Sequence, residues 1–410
     1  MWELIQTNKR NSTLLMVLMA VVLLALGFAI GMAAVGPEGG LFGLGIAAVI
    51  WLVLALISLS SGDQILLAAS GAKQITHDVH PQLFNVVEEM KIAAGLPAMP
   101  KVYIINDPAP NAFATGRNPQ SASIAVTAGL LGRLNRDELQ GVIAHEMSHI
   151  LHRDILYMTL AGIMLGSVVL LSQVFMRGVF YGSMGSRRRY SSNSRGGNQA
   201  QILLVVIAIV AAILAPIMAQ LLYFALSRRR EYLADAGGAR LTRYPEGLAS
   251  ALEKIASDPS PQLATANSVT APMFFANPFK SRGQRGLSDL TSTHPPISER
   301  IRILRGMSHG ASYKDYAQAY ATVTHGKNIV PAAALTGDEV QLRQGLPPTT
   351  EQGLPQKQTH QIGDIMRKVN GFQFLTCECG LKLKIPPNFP SGVVPCPRCR
   401  RSLSIPSRPA

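Results

Sequence analysis

GVIAHEMSHILHRD, residues 141–154, sets His145 and His149 four positions apart. On a helix that spacing puts both imidazoles on one face, where they can share a single zinc ion, with Glu146 beside them. The short pattern taken alone also fits two packed or capping histidines. The downstream sequence favours the metal: an uncharged apolar run starts at Ile155, directly after Arg153 and Asp154. The histidine pair therefore belongs where a helix enters a membrane.

The composition agrees with that setting. A chain of 410 residues with 48% hydrophobic side chains is long enough for more than one domain and too apolar for an ordinary soluble one. Residues 11–37, 39–62, 155–176 and 199–227 contain no Asp, Glu, Lys or Arg. At 1.5 Å per residue each run is long enough to cross a hydrocarbon layer about 30 Å thick. The first run, preceded by Lys9 and Arg10, also has the flanks of a signal peptide. Its length, and the second apolar run just beyond Pro37 to Gly40, point instead to an uncleaved helical hairpin. The formal charge of +14 suits anionic lipid headgroups as well as nucleic acid and does not choose between them.

Outward from the histidines, Asn135 and Glu138 form a capping box for their helix. With no Pro or Gly between Val142 and Ala161, that helix is expected to run unbroken from the cytosol into the bilayer. Upstream, Pro81 to Ala94 reads as an amphipathic helix, 101–105 as a strand, and Ser123 to Val126 as a second strand leading to a helix near Thr127. Residues 111–126 suit an edge strand that accepts a peptide as an added strand, or an ordinary turn and strand. Downstream, helices are expected at Pro245 to Ala256 and at 297–305, where Ile297, Ile301 and Leu304 share a face. Lys9 and Arg10 place the amino terminus in the cytoplasm, and so residues 63–154 as well. The arginine-rich loop at 177–198 runs against that rule if all four runs cross.

A hydrolytic zinc needs three protein ligands and an open position. Glu231 is the candidate third ligand, because it opens the segment EYLAD at the cytosolic end of the fourth apolar run. Asp235, four residues on, is placed to accept a hydrogen bond from the outer nitrogen of a ligating histidine. Glu146 is then free to act as general base, taking a proton from the attacking water and passing it to the leaving nitrogen. Taken without the histidines, Glu231 reads as an ion-pair partner of its arginine neighbours.

HEMSH at 145–149, EYLAD at 231–235, NAFATG at 111–116, THPP at 293–296 and the four apolar runs together resemble the HtpX family of bacterial membrane-bound zinc metalloproteases, which are related to the type-1 CAAX prenyl proteases. The resemblance covers roughly residues 1–306. It implies a mainly helical, gluzincin-like protease domain (α+β, with a small sheet) built onto membrane helices and facing the cytoplasm from the bacterial inner membrane. It also implies zinc on His145, His149 and Glu231 with Asp235 behind them, a substrate cleft at Asn111, Ala112 and Phe113, and a role for His294 in stabilising the tetrahedral intermediate. The implied substrates are misfolded or damaged membrane proteins, cut as part of quality control.

On this reading residues 1–62 are a transmembrane hairpin and 63–330 the metalloprotease domain, including the spans 155–176 and 199–227. Residues 331–365 are a flexible linker and 366–410 a small zinc-ribbon-like module. In that module Cys377, Cys379, Cys396 and Cys399 suit one structural zinc better than two disulfides. The module lies outside the family pattern, so its role is not inherited. Recruitment of a protein partner is favoured over nucleic-acid contact, because only Phe372 and Phe374 accompany its basic residues. The alternative for the whole chain is a non-proteolytic membrane scaffold working through this module. A transporter is disfavoured, since the apolar runs hold no charged residue for an ion relay.

Overall fold

The computed structural model describes residues 2–185, 197–258, 295–326, 329–330, 332–335, 339–345, 355–389 and 392–405. Helices α1 (Trp2–Val35) and α2 (Gly39–Ala69) form the expected hairpin. Their glycines set the contact: a Cβ at Gly31 would meet the Gly39 carbonyl oxygen at 2.2 Å, so the backbones touch where side chains would hold them apart. Among the described residues, four helical stretches are long and apolar enough to cross a membrane: Met16–Val35, Gly39–Ala69, Met158–Val179 and Ile202–Ala219. Phe42, Val49, Val206 and Ile213 stand exposed on them, a surface that suits lipid rather than water.

Beyond α2 the chain builds a small sheet from β1 (Ala72–Gln74), β2 (Lys101–Ile105), β3 (Ala112–Thr115) and β4 (Ser123–Thr127), in the order β1-β2-β4-β3. β2 and β4 are parallel, and the other pairs are antiparallel. Between β1 and β2, α3 (Pro81–Ala93) buries Leu83, Val86, Val87 and Met90, the face its periodicity predicted. Thr127 caps α4 (Ala128–Arg133), and the Asn135–Glu138 capping box starts α5 (Arg136–Leu151), the histidine helix.

One expectation fails here. The histidine helix does not run into the bilayer: α5 ends at Leu151, and α6 (Ile155–Gly185) begins after a break. Arg153 takes a left-handed conformation (φ 57°), and the Asp154 carbonyl accepts the first hydrogen bond of α6 from the Met158 N–H. The sequence holds no Pro or Gly to mark this turn. The Asp154 carboxylate bonds to His149 across the turn, one interaction that favours it over a continuous helix.

α7 (Gly197–Thr242) is continuous from the fourth span through Pro216 to the EYLAD segment and beyond. It packs on α5 at close range: a Cβ at Gly237 would lie 2.0 Å from the Ser148 hydroxyl. Then come α8 (Pro245–Ser257), α9 (Ile297–Arg305) and α10 (Tyr313–Thr324). One core, with Leu83, Ile124, Val142, Leu248 and Ile303, joins sheet and helices, and a second, with Leu23, Leu66, Phe113, Met158 and Val168, lies among the membrane helices.

The stretch expected to be a flexible linker is largely structured where it is described. Arg343 donates to the Thr242 carbonyl at 2.9 Å and to Asp137 at 2.8 Å. Residues from Pro355 onward form α11 (Pro355–Val369), whose Ile362 enters the protease core. Its low apolar content hid this, because a few spaced side chains and one arginine suffice to dock it. The hairpins β5–β6 (Gln373–Thr376, Lys382–Ile385) and β7–β8 (Val393–Pro395, Ser402–Ser404) are the last elements among the described residues.

Candidate metal centre

Three side chains from two helices converge on one point. His145 and His149 project from α5 with their Nε2 atoms 3.2 Å apart. Glu231 on α7 brings its oxygens to 3.6 Å from each of those nitrogens. A tetrahedral zinc with bonds of about 2.0–2.1 Å holds its ligand atoms roughly 3.3–3.4 Å apart, so the observed spacing fits that ion. All three side chains are buried.

Both outer histidine nitrogens are taken. Asp235 lies 2.9 Å from His145 Nδ1, and Asp154 lies 3.0 Å from His149 Nδ1. Each contact leaves Nε2 free to present its lone pair to a metal. Behind Asp235, Arg300 of α9 donates to both carboxylate oxygens, at 2.8 and 2.7 Å, and comes within 3.8 Å of Glu231. Neither Asp235 nor Arg300 has measurable exposure.

The electrostatics ask for a cation. Burial alone lowers the affinity of His149 for a proton, yet the Asp154, Glu231 and Glu146 carboxylates raise its pKa to about 10. His145 is likewise raised against the effect of burial, chiefly by Asp235 and Glu231. A pocket that draws protons onto two buried imidazoles is short of positive charge, which a divalent ion supplies.

Glu146 adjoins this cluster and is buried. Burial raises its carboxyl above the ordinary range, opposed by the two histidines and by a backbone hydrogen bond from Ala114 in β3. A carboxyl so raised is suited to holding a proton between two steps. The bond from Ala114 also ties the acid to the strand. β3 pairs with β4 on one side and has no strand on its other side among the described residues.

Of the sequence-predicted residues, His145, His149, Glu231, Asp235 and Glu146 are brought together. Asn111, Ala112 and Phe113 are buried at the start of β3, with Ala112 facing the protease core and Phe113 the core among the membrane helices. Asn111 Oδ1 accepts from the Ala112 N–H at 3.0 Å. His294 lies outside the described residues. Asp154 and Arg300 were not anticipated. Arg300 did leave a signal, as a charge on the same helical face as Ile297, Ile301 and Leu304. Asp154 left none, because only the break after α5 turns it toward His149.

Residues 78–308 match the profile of peptidase family M48. A "Protease HtpX homolog" of Dictyoglomus thermophilum is 44% identical over 306 residues, 75% of this chain and 94% of that protein. Another from Caldanaerobacter subterraneus subsp. tengcongensis is 44% identical over 313 residues, 75% of this chain and 98% of that one. The crystal structure of S. mikatae Ste24p covers 74% of this chain and 67% of its own at 20% identity and a TM-score of 0.39.

Proposed function

This chain belongs to peptidase family M48 and is a membrane metalloprotease, and from that premise we propose that it is a zinc endopeptidase cutting misfolded or damaged membrane proteins on the cytoplasmic side of a bacterial inner membrane. The observation that carries the reading is the convergence of His145, His149 and Glu231 with Glu146 alongside. When bound, zinc supplies a Lewis acid that polarises the scissile carbonyl and acidifies water.

The chain's own residues do the rest. Asp235 and Asp154 hold the two imidazoles in one tautomer and orientation, and Arg300 holds Asp235. Glu146 accepts the proton released when water attacks the peptide and delivers it to the departing amine. A substrate strand laid along the outer edge of β3 passes the acid, because Ala114 of that strand hydrogen-bonds Glu146. The catalytic domain is assigned to the cytoplasm from Lys9 and Arg10 before the first span and Arg228, Arg229 and Arg230 after the fourth. Nearness of the centre to membrane helices suits substrates that are themselves in the bilayer.

The test is cleavage of an unfolded model membrane protein by zinc-loaded parent and Glu146→Gln. The variant is expected to keep its zinc and lose cleavage by at least about a hundredfold. Full activity in the zinc-loaded variant would overturn the assignment. A parent that binds zinc and cleaves nothing would favour the scaffold reading.

A further inference from the structure

The four cysteines lie outside the family match at residues 78–308 and apart from the catalytic centre. Each pair sits on a tight turn. Between β5 and β6, the Cys377 N–H donates to the Leu381 carbonyl at 2.9 Å, and Gly380 adopts φ 84°. Between β7 and β8, the Cys396 N–H donates to the Arg401 carbonyl at 2.8 Å, and Arg400 takes the equivalent left-handed place at φ 60°. An arginine there is strained, and a turn keeps such strain only when something fixes it from outside.

The two turns face each other. Cys377 Sγ lies 3.4 Å from Cys399 Sγ, and Cys379 Sγ 3.6 Å from Cys396 Sγ. All four sulfurs lie within 4.8 Å of one another. Disulfide sulfurs stand about 2.05 Å apart. Thiolates on a tetrahedral zinc, with bonds of about 2.3 Å, stand roughly 3.8 Å apart, close to what is seen. Beyond the cysteines, the hairpins bury little apolar surface, chiefly Ile385 and Val394 among the described residues. A unit that small does not hold itself together without a staple.

We propose that Cys377, Cys379, Cys396 and Cys399 bind a second zinc ion, which folds the two hairpins and fixes them to the flank of the protease domain. The docking is through α11. Ile362 enters the protease core against Gly132 of α4, with Ile365, Met366 and Val369 packed along the same surface. Lys73 of β1 donates to Asn370 Oδ1 at 2.7 Å, and Lys384 of β6 reaches Asp364 of α11 at 2.6 Å. The ion thereby secures a basic module beside β1, a few residues beyond the end of the second span.

The test uses the full chain, purified in detergent under reducing conditions. The parent should carry about two zinc ions, and a Cys396→Ser/Cys399→Ser variant about one. A His145→Ala/His149→Ala variant should keep one. After exchange for cobalt, that ion should show the intense absorption of a cobalt thiolate, which does not depend on the catalytic site or on activity. About one zinc in the parent, with all four thiols alkylated freely before any chelator is added, would overturn the proposal. So would cysteine peptides linked by disulfides in a parallel sample isolated without reductant and alkylated at once.

Discussion

Arg300 grips both carboxylate oxygens of Asp235, at 2.8 and 2.7 Å, and Asp235 stands 2.9 Å from the outer nitrogen of His145. A residue some 150 positions from the histidine motif in sequence therefore sets the orientation of an imidazole in the centre. Lysine offers a point charge in place of this two-pronged contact. Arg300→Lys should weaken zinc binding by about 10–100-fold in competition with a chelator. Arg300→Met should also cost on the order of 3–5 kcal/mol by leaving the buried Asp235 carboxylate without its guanidinium partner. Unchanged zinc affinity in both variants would remove Arg300 from the centre.

Asp154 plays the matching part for His149. Asp154→Asn keeps a group able to accept from His149 Nδ1 but removes its charge. Zinc affinity should fall by about tenfold or more, with a smaller loss of thermal stability than in Asp154→Ala. Equal zinc affinity in the parent and Asp154→Asn would show that the charge has no part in holding the ion.

Close packing of α7 on α5 positions Glu231. Gly237→Ala places a Cβ 2.0 Å from the Ser148 hydroxyl and should destabilise the protein by about 1–3 kcal/mol. Adding Ser148→Ala removes the nearer clash and should recover part of that loss, a coupling visible in thermal unfolding of the single and double variants. Simple additivity would mean that the glycine is needed for some other reason.

His152 closes α5 as its C-cap, 3.1 Å from the Tyr313 hydroxyl. Burial pushes its pKa down from 6.5 to about 4. Between those values the unfolded chain binds a proton that the folded chain does not. The folded state is therefore favoured above about pH 6.5 and loses on the order of 3 kcal/mol as pH falls through 4. Metal loss adds to acid sensitivity, so the measurement is the difference between parent and His152→Gln. The variant should lose less stability between pH 6.5 and 4, and parallel curves would show that His152 does not contribute.

Truncation after residue 330 removes more than a tail. It strips Ile362 from the protease core and Arg343 from Asp137, Gln140 and the face of Tyr244. Losing the isoleucine burial alone is worth about 1.5–3 kcal/mol. The truncated protein should unfold at a lower temperature than the parent, whereas loss of a true linker would leave the midpoint unchanged.

Local patterns are legible in the sequence alone. The four apolar runs, the Asn135–Glu138 capping box, the face of α3 and the four-residue spacing of His145 and His149 all depend on neighbours within a turn or two of the chain. Glu231 and Asp235 could be proposed because their segment follows directly from a membrane helix. What sequence alone left undecided depends on groups that meet only after folding. The break at Arg153 is such a case, since it brings Asp154 to His149, and so are the reach of Arg300 to Asp235 and the docking of Ile362 against Gly132. The chain by itself determined where the apolar runs and the capped histidine helix lie and which residues are candidates to hold a metal. Only the tertiary structure decided which carboxylate stands behind which imidazole, because a buried charge is settled by the partner that reaches it in space, and that partner leaves no periodic trace in the sequence.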